Sequence, residues 1–257
     1  MEYQGHDVFE TIGTTKASTL STATAANASD ETRCQRRGER KCCSDPPPPF
    51  RVEPAGVRWL TPGLRKYSCE LTLDTNTVNR KLKLSDNNRK VTHVEEVQSY
   101  PDHTDRFDSW PQLLCRTGLT GRCYWEVECR GIISISDSYR GISRRGDGKD
   151  CVFGRNNQSW SLICFDGRHY IVLHNDSKTP ITITTTYFSS SGRVGVYVDC
   201  PAGTLSFYSV SSGTLILLHT FNTTFTEPLY PGFGFGFGSG FGFVSGSGSS
   251  VSLCSPH

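Results

Sequence analysis

The best candidate for a catalytic pair in the sequence is Glu126 and Glu128, two carboxylates separated by a single residue. Residues two apart share one face of a β-strand, and a glycosidase could present its acid and nucleophile in this way. Both side chains are predicted to face solvent, because Trp125 and Val127 take the opposite, apolar face of the same strand. We therefore expect solvated sheet surface here and no catalytic site.

Other catalytic and metal-binding motifs are missing from the sequence. It contains no His-Glu-x-x-His helix, no Gly-x-Ser-x-Gly elbow and no Walker phosphate loop. The 7 histidines are scattered, and His174 and His219 fall at predicted strand positions, where structural imidazoles are commoner than ligands. The sequence therefore predicts no enzyme activity, no metal site, no cofactor and no small-molecule substrate.

The 11 cysteines form no Cys-x-x-Cys pair, and their number is odd. Residues 1–7 lack the basic and apolar regions of a secretory signal, so we expect a cytoplasmic protein with reduced thiols. Several cysteines, such as Cys123 and Cys164, lie in apolar runs where a free thiol behaves as a small buried hydrophobe. Disulfides or a bound metal are the alternative interpretation.

Charge and hydropathy exclude two classes of partner. The 27 basic residues nearly balance the 25 acidic ones, so no domain-wide basic excess indicates nucleic-acid binding. The longest apolar runs, such as 215–218, are far shorter than the ~20 residues needed to span a bilayer. We expect neither a nucleic-acid nor a membrane partner.

The elements that must position any site are short β-strands. From residue 69 onward, alternating apolar and polar segments are separated by turn residues, which is typical of an antiparallel sandwich or barrel. The predicted strands are 69–74, 123–128, 159–164, 193–198, 204–210 and 214–221. No segment shows sustained helical periodicity, so helices should be few and short.

The chain has polar segments on both sides of its strand-rich part. Residues 1–45 form a Ser/Thr-rich tail that ends in a basic cluster and is predicted to be disordered, and residues 46–66 form a proline-rich spacer and lead-in. Residues 231–250 alternate Gly with Phe and then with Ser. We expect a strand in the first few of these, a mobile loop at 239–249 and a last strand at 251–254.

Three blocks, in order along the chain, resemble the PRY-SPRY family. Residues 73–91 resemble the PRY motif, and the two SPRY blocks read Gly-Arg-Cys-Tyr-Trp-Glu-Val-Glu at 121–128 and Val-Asp-Cys-Pro-Ala-Gly-Thr-Leu-Ser-Phe-Tyr at 198–208. The resemblance runs from about residue 50 to 254 and is strongest to fish modules of NACHT/leucine-rich-repeat receptors, tripartite-motif-like and stonustoxin-like proteins. It implies a bent antiparallel β-sandwich of two sheets, with a PRY segment at 67–120 and a SPRY segment at 121–257 in one structural domain.

The resemblance also implies a non-catalytic scaffold that binds a protein partner through inter-strand loops. The matching loops are 99–106, 144–150, 165–170 and 223–228. Aromatic and Arg side chains in such loops are natural interface anchors, although each ring could instead pack beneath its own loop. The candidate contact residues are Tyr100, Asp102, His103, Arg106, Arg145, Asp147, Phe165, Asp166, Arg168, Tyr170 and Phe225.

Three positions depart from the family pattern. Cys129 and Leu173 stand where Trp is usual, and Asp137 replaces a branched apolar residue on the same strand face as Ile133 and Ile135. An unpaired carboxylate on a core face costs several kcal/mol or raises its own pKa. These departures suggest a domain near its stability threshold.

The leading functional hypothesis is a cytoplasmic protein-interaction module in innate-immune-type signalling. One alternative is the C-terminal part of a secreted, membrane-active stonustoxin-like protein. The other is a substrate-recognition domain for a tripartite-motif-type ubiquitin ligase assembly. Its catalytic module would have to lie in another chain, because residues 1–66 contain no Cys/His array with zinc spacing.

Overall fold

A computed structural model describes residues 50–52, 58–60, 62–182, 192–236 and 247–255. All of them belong to one compact unit that spans residues 47–257. The predicted disordered tail at 1–45, the proline run at 46–49 and most of the predicted 239–249 loop lie outside the described residues.

The described residues contain strands and two short 3-10 helices, which confirms the predicted all-β class. The strands are β1 (Phe50–Val52), β2 (Arg58–Leu60), β3 (Leu82–Ser85), β4 (Lys90–His93), β5 (Gln112–Leu114), β6 (Arg122–Arg130), β7 (Ile132–Tyr139), β8 (Ser159–Phe165), β9 (His169–His174), β10 (Ser177–Ile181), β11 (Arg193–Asp199), β12 (Thr204–Ser211), β13 (Thr214–Asn222), β14 (Leu229–Phe235) and β15 (Ser250–Leu253). The 3-10 helices are Pro62–Tyr67 and Lys149–Cys151.

The strands form two antiparallel sheets. The nine-stranded sheet has the order β1-β2-β13-β12-β11-β6-β15-β4-β3, and the six-stranded sheet has the order β10-β9-β8-β7-β14-β5. Strand β15 lies inside the first sheet, where it pairs with β4 on one side and with β6 on the other. The two-sheet antiparallel architecture agrees with the prediction.

The main core is built from alternate residues of facing strands. Trp125 and Val127 of β6 are buried with Ile135 of β7, and the Trp125 ring meets Phe233 of β14 edge to face at 5.9 Å. Each such side chain contributes about 1.5–3 kcal/mol on burial. The apolar residues whose alternation predicts β6 are thus the residues that fill the core between the two sheets.

The segment after the first 3-10 helix corrects one strand prediction. Residues 69–74 do not form a strand, because only isolated bridges link Ser68 to Tyr124 and Leu73 to Cys115. The segment meets a different sheet at each end, because Ser68 bridges β6 of the nine-stranded sheet and Leu73 bridges Cys115, the residue after β5 of the six-stranded sheet. Hydrophobic alternation alone does not reveal that a segment crosses between two sheets.

The prediction that Glu126 is solvated is also wrong. Its side chain lies on the outer face of β6, as expected, but it is buried and accepts a hydrogen bond from Tyr124 Oη at 2.7 Å. Two arginines cover it, with Arg65 and Arg193 each 3.5 Å from one carboxylate oxygen. Glu128 is half-exposed and pairs with Arg193 at 2.5 Å. The two carboxylates are held by cations and form no catalytic pair.

Asp137 lies in β7 and confirms the expectation of a buried, unpaired carboxylate. The residue is completely buried, and neither carboxylate oxygen has a hydrogen-bond partner among the described residues. Burial raises the pKa of Asp137 to about 7. The carboxyl is therefore neutral in mildly acidic solution and loses its proton around neutral pH.

The cysteines only partly follow the prediction of reduced thiols. Cys69 and Cys123 form a disulfide with their Cα atoms 5.6 Å apart, so the prediction is wrong at this pair. The bond ties the segment after the first 3-10 helix to β6. The other described cysteines are free thiols: Cys115, Cys129, Cys151, Cys164, Cys200 and Cys254.

One glycine forms the corner between the sheets. Gly131 is the single residue between β6 of the nine-stranded sheet and β7 of the six-stranded sheet, and its φ of +79° favours glycine. Its N–H donates to Asp166 Oδ1 at 2.6 Å, and Asp166 N–H donates to its carbonyl at 2.9 Å. The turn between β8 and β9 is thereby fastened to this corner.

Candidate partner-binding surface

Two of the four predicted loops, 99–106 and 144–150, meet next to a branched ion pair. Arg140, just beyond β7, contacts Asp74 at 3.0 Å and Asp105 at 2.6 Å. The Asp74 side chain is almost fully buried, so loss of Arg140 would leave a buried carboxylate without its cation. Arg140 therefore fastens the loop at 99–106 to the end of β7.

Asp108, two residues after the first of these loops, contacts the second. Its N–H donates to the Arg144 carbonyl at 3.1 Å, and its carboxylate accepts the Gly146 N–H at 3.0 Å. The two loops are therefore held together by one main-chain hydrogen bond and one hydrogen bond to the Asp108 carboxylate. A preformed surface loses less conformational entropy when a partner binds.

Between these loops lies a depression of about 550 Å³, which we call the charged depression. Its lining residues are Arg80, Asp102, His103, Thr104, Arg106, Phe107, Asp108 and Arg145. The sequence predicted four of these as contact residues, namely Asp102, His103, Arg106 and Arg145. It missed the other four.

The accessible charges of the depression are at its margin. The Asp102 side chain is fully exposed and pairs with Arg80 at 2.6 Å. Arg145 is exposed, and His103 is half-buried with Nδ1 accepting the Asp105 N–H at 3.1 Å. Asp147 is exposed in the same loop as Arg145. These four predicted residues offer both signs of charge to a partner.

Arg106 lies in the wall of the depression, but its guanidinium is used internally. Nη1 donates to the carbonyls of Thr75 at 3.1 Å and Val78 at 2.5 Å, and Nη2 donates to the Pro101 carbonyl at 2.6 Å. The residue is buried, and burial together with the nearby Arg80 lowers the pKa of Arg106. Arg106 ties the 99–106 loop to the segment 75–78 and presents little side chain to a partner.

Tyr100 supports the loop from below. Its ring lies 5.3 Å from the Arg106 guanidinium, and its hydroxyl donates to the Leu82 carbonyl at 2.8 Å and accepts the Leu84 N–H at 3.3 Å. The ring therefore packs beneath its own loop, the alternative left open from the sequence.

Phe225, in the loop at 223–228, is also turned inward. It is half-buried, meets the Trp160 ring edge to face at 5.2 Å and packs against the main core. The next residue, Thr226, donates its N–H to Tyr139 Oη at 3.0 Å, which holds this loop against the end of β7. Phe225 positions the loop and leaves little ring surface for contact.

The predicted loop 165–170 lies at the other end of β8. Phe165 and Tyr170 belong to strands β8 and β9, so the turn itself is only residues 166–168. The turn is about 20 Å along β8 from the Ser159 end, where the 140–158 connection arrives. The four predicted loops therefore do not form one continuous face.

Within the turn, the predicted residues differ in exposure. Asp166 and Arg168 are exposed, whereas Phe165 is half-buried. Tyr170 is buried and donates its hydroxyl to the Gly167 carbonyl at 3.0 Å. Only Asp166 and Arg168 present charge to solvent here.

Arg80 is the most informative residue that sequence reasoning missed. It lies just before β3 in the PRY segment, where no turn or loop signal marks it. Its Nη1 donates to the Gln98 carbonyl at 3.2 Å, which brings it to the 99–106 loop. Only the folded chain shows this contact between positions 18 apart.

The described residues contain neither a metal-binding cluster nor a membrane-spanning helix. Across these ranges, no set of three or more His, Cys, Asp or Glu side chains is arranged to hold a metal ion. No helix in the described part of the chain has both the length and the apolar character needed to cross a membrane.

Family models match most of the strand-rich part of the chain. The PRY model, described as an SPRY-associated domain, matches residues 71–119, and the SPRY domain model matches residues 122–248. SPRY domains are generally protein-interaction modules without catalytic activity. Together the two models cover the strands that carry the charged depression.

Curated relatives come from two kinds of protein. Stonustoxin subunit beta of Synanceia horrida is 41% identical over 170 residues, which are 66% of this chain and 24% of the toxin subunit. Tripartite motif-containing protein 16 of Mus musculus is 36% identical over 171 residues, 65% of this chain and 30% of that protein. The chain thus spans less than a third of either relative.

Two solved structures share the fold. The crystal structure of the TRIM65 PSpry domain has a TM-score of 0.62 at 26% identity, covering 82% of this chain and 100% of that one. The stonustoxin structure has a TM-score of 0.63 at 37% identity, covering 74% of this chain and 28% of that one. The ordered motifs, the two-sheet architecture and these matches agree, and the chain belongs to the PRY-SPRY domain family.

Proposed function

We propose that this chain is a non-catalytic module that binds a protein partner through the charged depression and the loops beside it. We place it in the cytoplasm, in innate-immune-type signalling. The observation that carries the proposal is a preformed depression between two loops held by the two Asp108 hydrogen bonds and the Arg140 ion pairs. The family's general role as an interaction module supports it.

The charges at the depression fit recognition of a polar partner surface. Asp102 and Arg145 are exposed and of opposite sign, so they can each pair with a complementary charge on the partner. Complementary charge at an interface gives mainly specificity and a faster encounter. We therefore expect both residues to matter for partner choice and little for folding.

The same geometry shows which substitutions test binding. Replacing Arg106 or Tyr170 would disturb buried hydrogen bonds, so lost binding could simply reflect lost folding. Asp102 and Arg145 are exposed and can be changed without opening the core. Arg168 is a matched control, because it is an exposed arginine in the turn at the other end of β8.

The experiment uses three forms of the full chain as bait: wild type, the double variant Asp102→Ala with Arg145→Ala, and Arg168→Ala. Proteins captured from a cytosolic extract are quantified, and the affinity of each enriched protein is then measured with purified components. We expect wild type and Arg168→Ala to bind alike and the double variant to bind at least tenfold more weakly. Equal binding by all three would refute the proposed surface.

A second candidate is the C-terminal part of a secreted stonustoxin-like protein. The Cys69–Cys123 disulfide favours it, because disulfides persist in oxidising compartments. The 41% identity to stonustoxin subunit beta supports the same candidate. If it is correct, protein isolated from its native tissue and denatured without reductant will expose two or more thiols fewer than its 11 cysteines.

The similarity to tripartite motif-containing protein 16 supports a third candidate, a substrate-recognition domain in a ubiquitin ligase assembly. A partner chain would have to supply the ligase activity. The capture experiment also tests this third candidate. It predicts that a zinc-containing ligase subunit is among the proteins bound by wild type.

A further inference from the structure

The two carboxylates that line the charged depression already have hydrogen-bond donors from the chain itself. Asp102 lies at the margin, and its Oδ1 accepts from Arg80 Nη2 at 2.6 Å. Asp108 accepts the Gly146 N–H through both oxygens, at 3.0 Å and 3.3 Å. The negative charges of the depression are therefore partly offset before any partner arrives.

The three arginines of the depression differ in how much of each is left for a partner. Arg106 donates to the carbonyls of residues 75, 78 and 101, and Arg80 donates to the Gln98 carbonyl and to Asp102. Arg145 is exposed, and within the described ranges its side chain makes no hydrogen bond or ion pair. Its guanidinium is thus a fork of N–H donors open to a ligand.

His103 supplies a second donor. Its Nδ1 accepts the Asp105 N–H at 3.1 Å, so the neutral ring carries its proton on Nε2. No side chain or carbonyl among the described residues accepts a hydrogen bond from Nε2. Thr104, the next residue, is exposed, and its hydroxyl can donate as well. The groups left over in the depression are mainly donors, so its ligand must bring acceptors.

The charges of the depression favour a carboxylate over a phosphate as that ligand. A phosphate monoester carries a charge of about −1.5 to −2 at neutral pH and is typically held by a cluster of arginines. Here Arg106 and Arg80 are used internally, and Asp102 and Asp108 would repel a second negative charge. A carboxylate carries one negative charge, and its two oxygens match the fork of a single guanidinium such as that of Arg145.

We propose that the charged depression binds a carboxylate of the partner, presented by an aspartate or glutamate in an acidic segment. Arg145 pairs with the carboxylate oxygens, and His103 Nε2 or the Thr104 hydroxyl donates a further hydrogen bond. The volume of about 550 Å³ is within the range of sites that enclose a small ligand. The inference rests on the proposed function, because it names the chemistry of the partner at the surface assigned there.

The test uses the full chain labelled with nitrogen-15 and an acetylated, amidated heptapeptide that alternates glycine with glutamate. A matched peptide has glutamine in place of each glutamate, so it keeps the shape and loses the charge. Titrations followed by NMR detect weak binding as shifts of assigned backbone amide signals. We expect the glutamate peptide to shift the amides of residues 103–106 and 144–147, and the glutamine peptide to bind about tenfold more weakly.

Variants locate the bound carboxylate. Arg145→Ala should weaken binding of the glutamate peptide about tenfold, and Arg145→Lys should recover only part of the loss, because lysine keeps the charge without the fork. Arg168→Ala is the matched control and should bind like wild type, because this exposed arginine lies in the turn at the other end of β8.

Three results would overturn the inference: equal binding of the two peptides, equal binding by wild type and Arg145→Ala, or tighter binding of a matched phosphoserine peptide than of the glutamate peptide. The proposed function fails by a different result, in which the captured proteins bind wild type and the double variant alike. The two failures can therefore be told apart.

Discussion

The loop region around Asp74 and the interior of β7 around Asp137 bury the same kind of side chain in different ways. Asp74 is 4% exposed, contacts Arg140 at 3.0 Å and accepts the Asn76 N–H at 3.1 Å. Asp137 is 0% exposed, and in the part of the chain that the structure describes neither carboxylate oxygen has a hydrogen-bond partner. The buried carboxylate beside the loops, Asp74, has an ion-pair and a hydrogen-bond partner. The buried carboxyl in the core, Asp137, lacks both among the described residues.

The physical consequence is that only one of the two regions gains stability from its carboxylate. A paired, hydrogen-bonded charge recovers much of its desolvation cost, whereas an unpaired buried group stays neutral or destabilises the fold. Asp74 fixes a loop geometry, and Asp137 makes the folded state sensitive to pH. The following predictions probe this difference in order of expected effect.

Asp137→Asn should have the largest effect, through the pH dependence of stability. The folded carboxyl keeps its proton up to a pKa of about 7, while the unfolded one loses it above the ordinary value of 3.8. Stability of wild type should therefore fall by roughly 4 kcal/mol as pH rises from 4 to 7.5. Urea unfolding of both proteins across this range measures the difference, and parallel curves would contradict it.

Arg140→Ala should remove the ion pair of Asp74 and leave its buried carboxylate without a cation. Asp74 would keep its burial and lose its cation, and Asp105 would lose its contact with β7. We expect a loss of about 2–3 kcal/mol in unfolding free energy at pH 7. Arg145→Ala is the control, because Arg145 is an exposed arginine in the adjoining loop. If both variants lose the same unfolding free energy, the loss does not come from the Arg140 ion pairs.

Tyr100→Phe should cost less, about 1 kcal/mol, because it removes one neutral hydroxyl. The Leu82 carbonyl and the Leu84 N–H would lose a partner while the ring stays in place. Thermal unfolding gives the stability change, and faster hydrogen exchange at the Leu84 amide would locate it. Unchanged exchange there would argue against a supporting role for the hydroxyl.

Arg168→Ala should have the smallest effect, within about 0.5 kcal/mol of wild type. The side chain is exposed in a turn whose shape depends on Gly131 and Asp166. Urea unfolding at pH 7 measures the change. A loss above 1 kcal/mol would mean that this turn also depends on a charged contact.

Particular residues show how far the sequence predicts this molecule. The alternation around Trp125 gives β6, and the position of Asp137 relative to Ile133 gives its burial and raised pKa. Both follow from the period of two in a strand, a purely local property. Local periodicity fails at 69–74, because this segment crosses from β6 to Cys115 beside β5 and makes only a single bridge at each end.

The candidate surface was predicted less well, because long-range contacts decide it. Arg106 belongs to a loop predicted to bind a partner, but its guanidinium donates hydrogen bonds to the carbonyls of residues 75, 78 and 101. Arg80 has no local signal and reaches the depression only through folding. Exposure of Asp102 and Arg145, by contrast, follows from their polar loops and was predicted.

The position of β15 inside the nine-stranded sheet also bears on synthesis of the chain. Among the described strands, β15 alone joins β3 and β4 to that sheet, and the ribosome makes it about 160 residues after β4. At translation rates of roughly 5–20 residues per second, the β3–β4 hairpin waits on the order of 10–30 s for its partner. The strands of this sheet therefore cannot all pair in the order in which they are synthesised. Chaperones that shield the early strands have that interval in which to act.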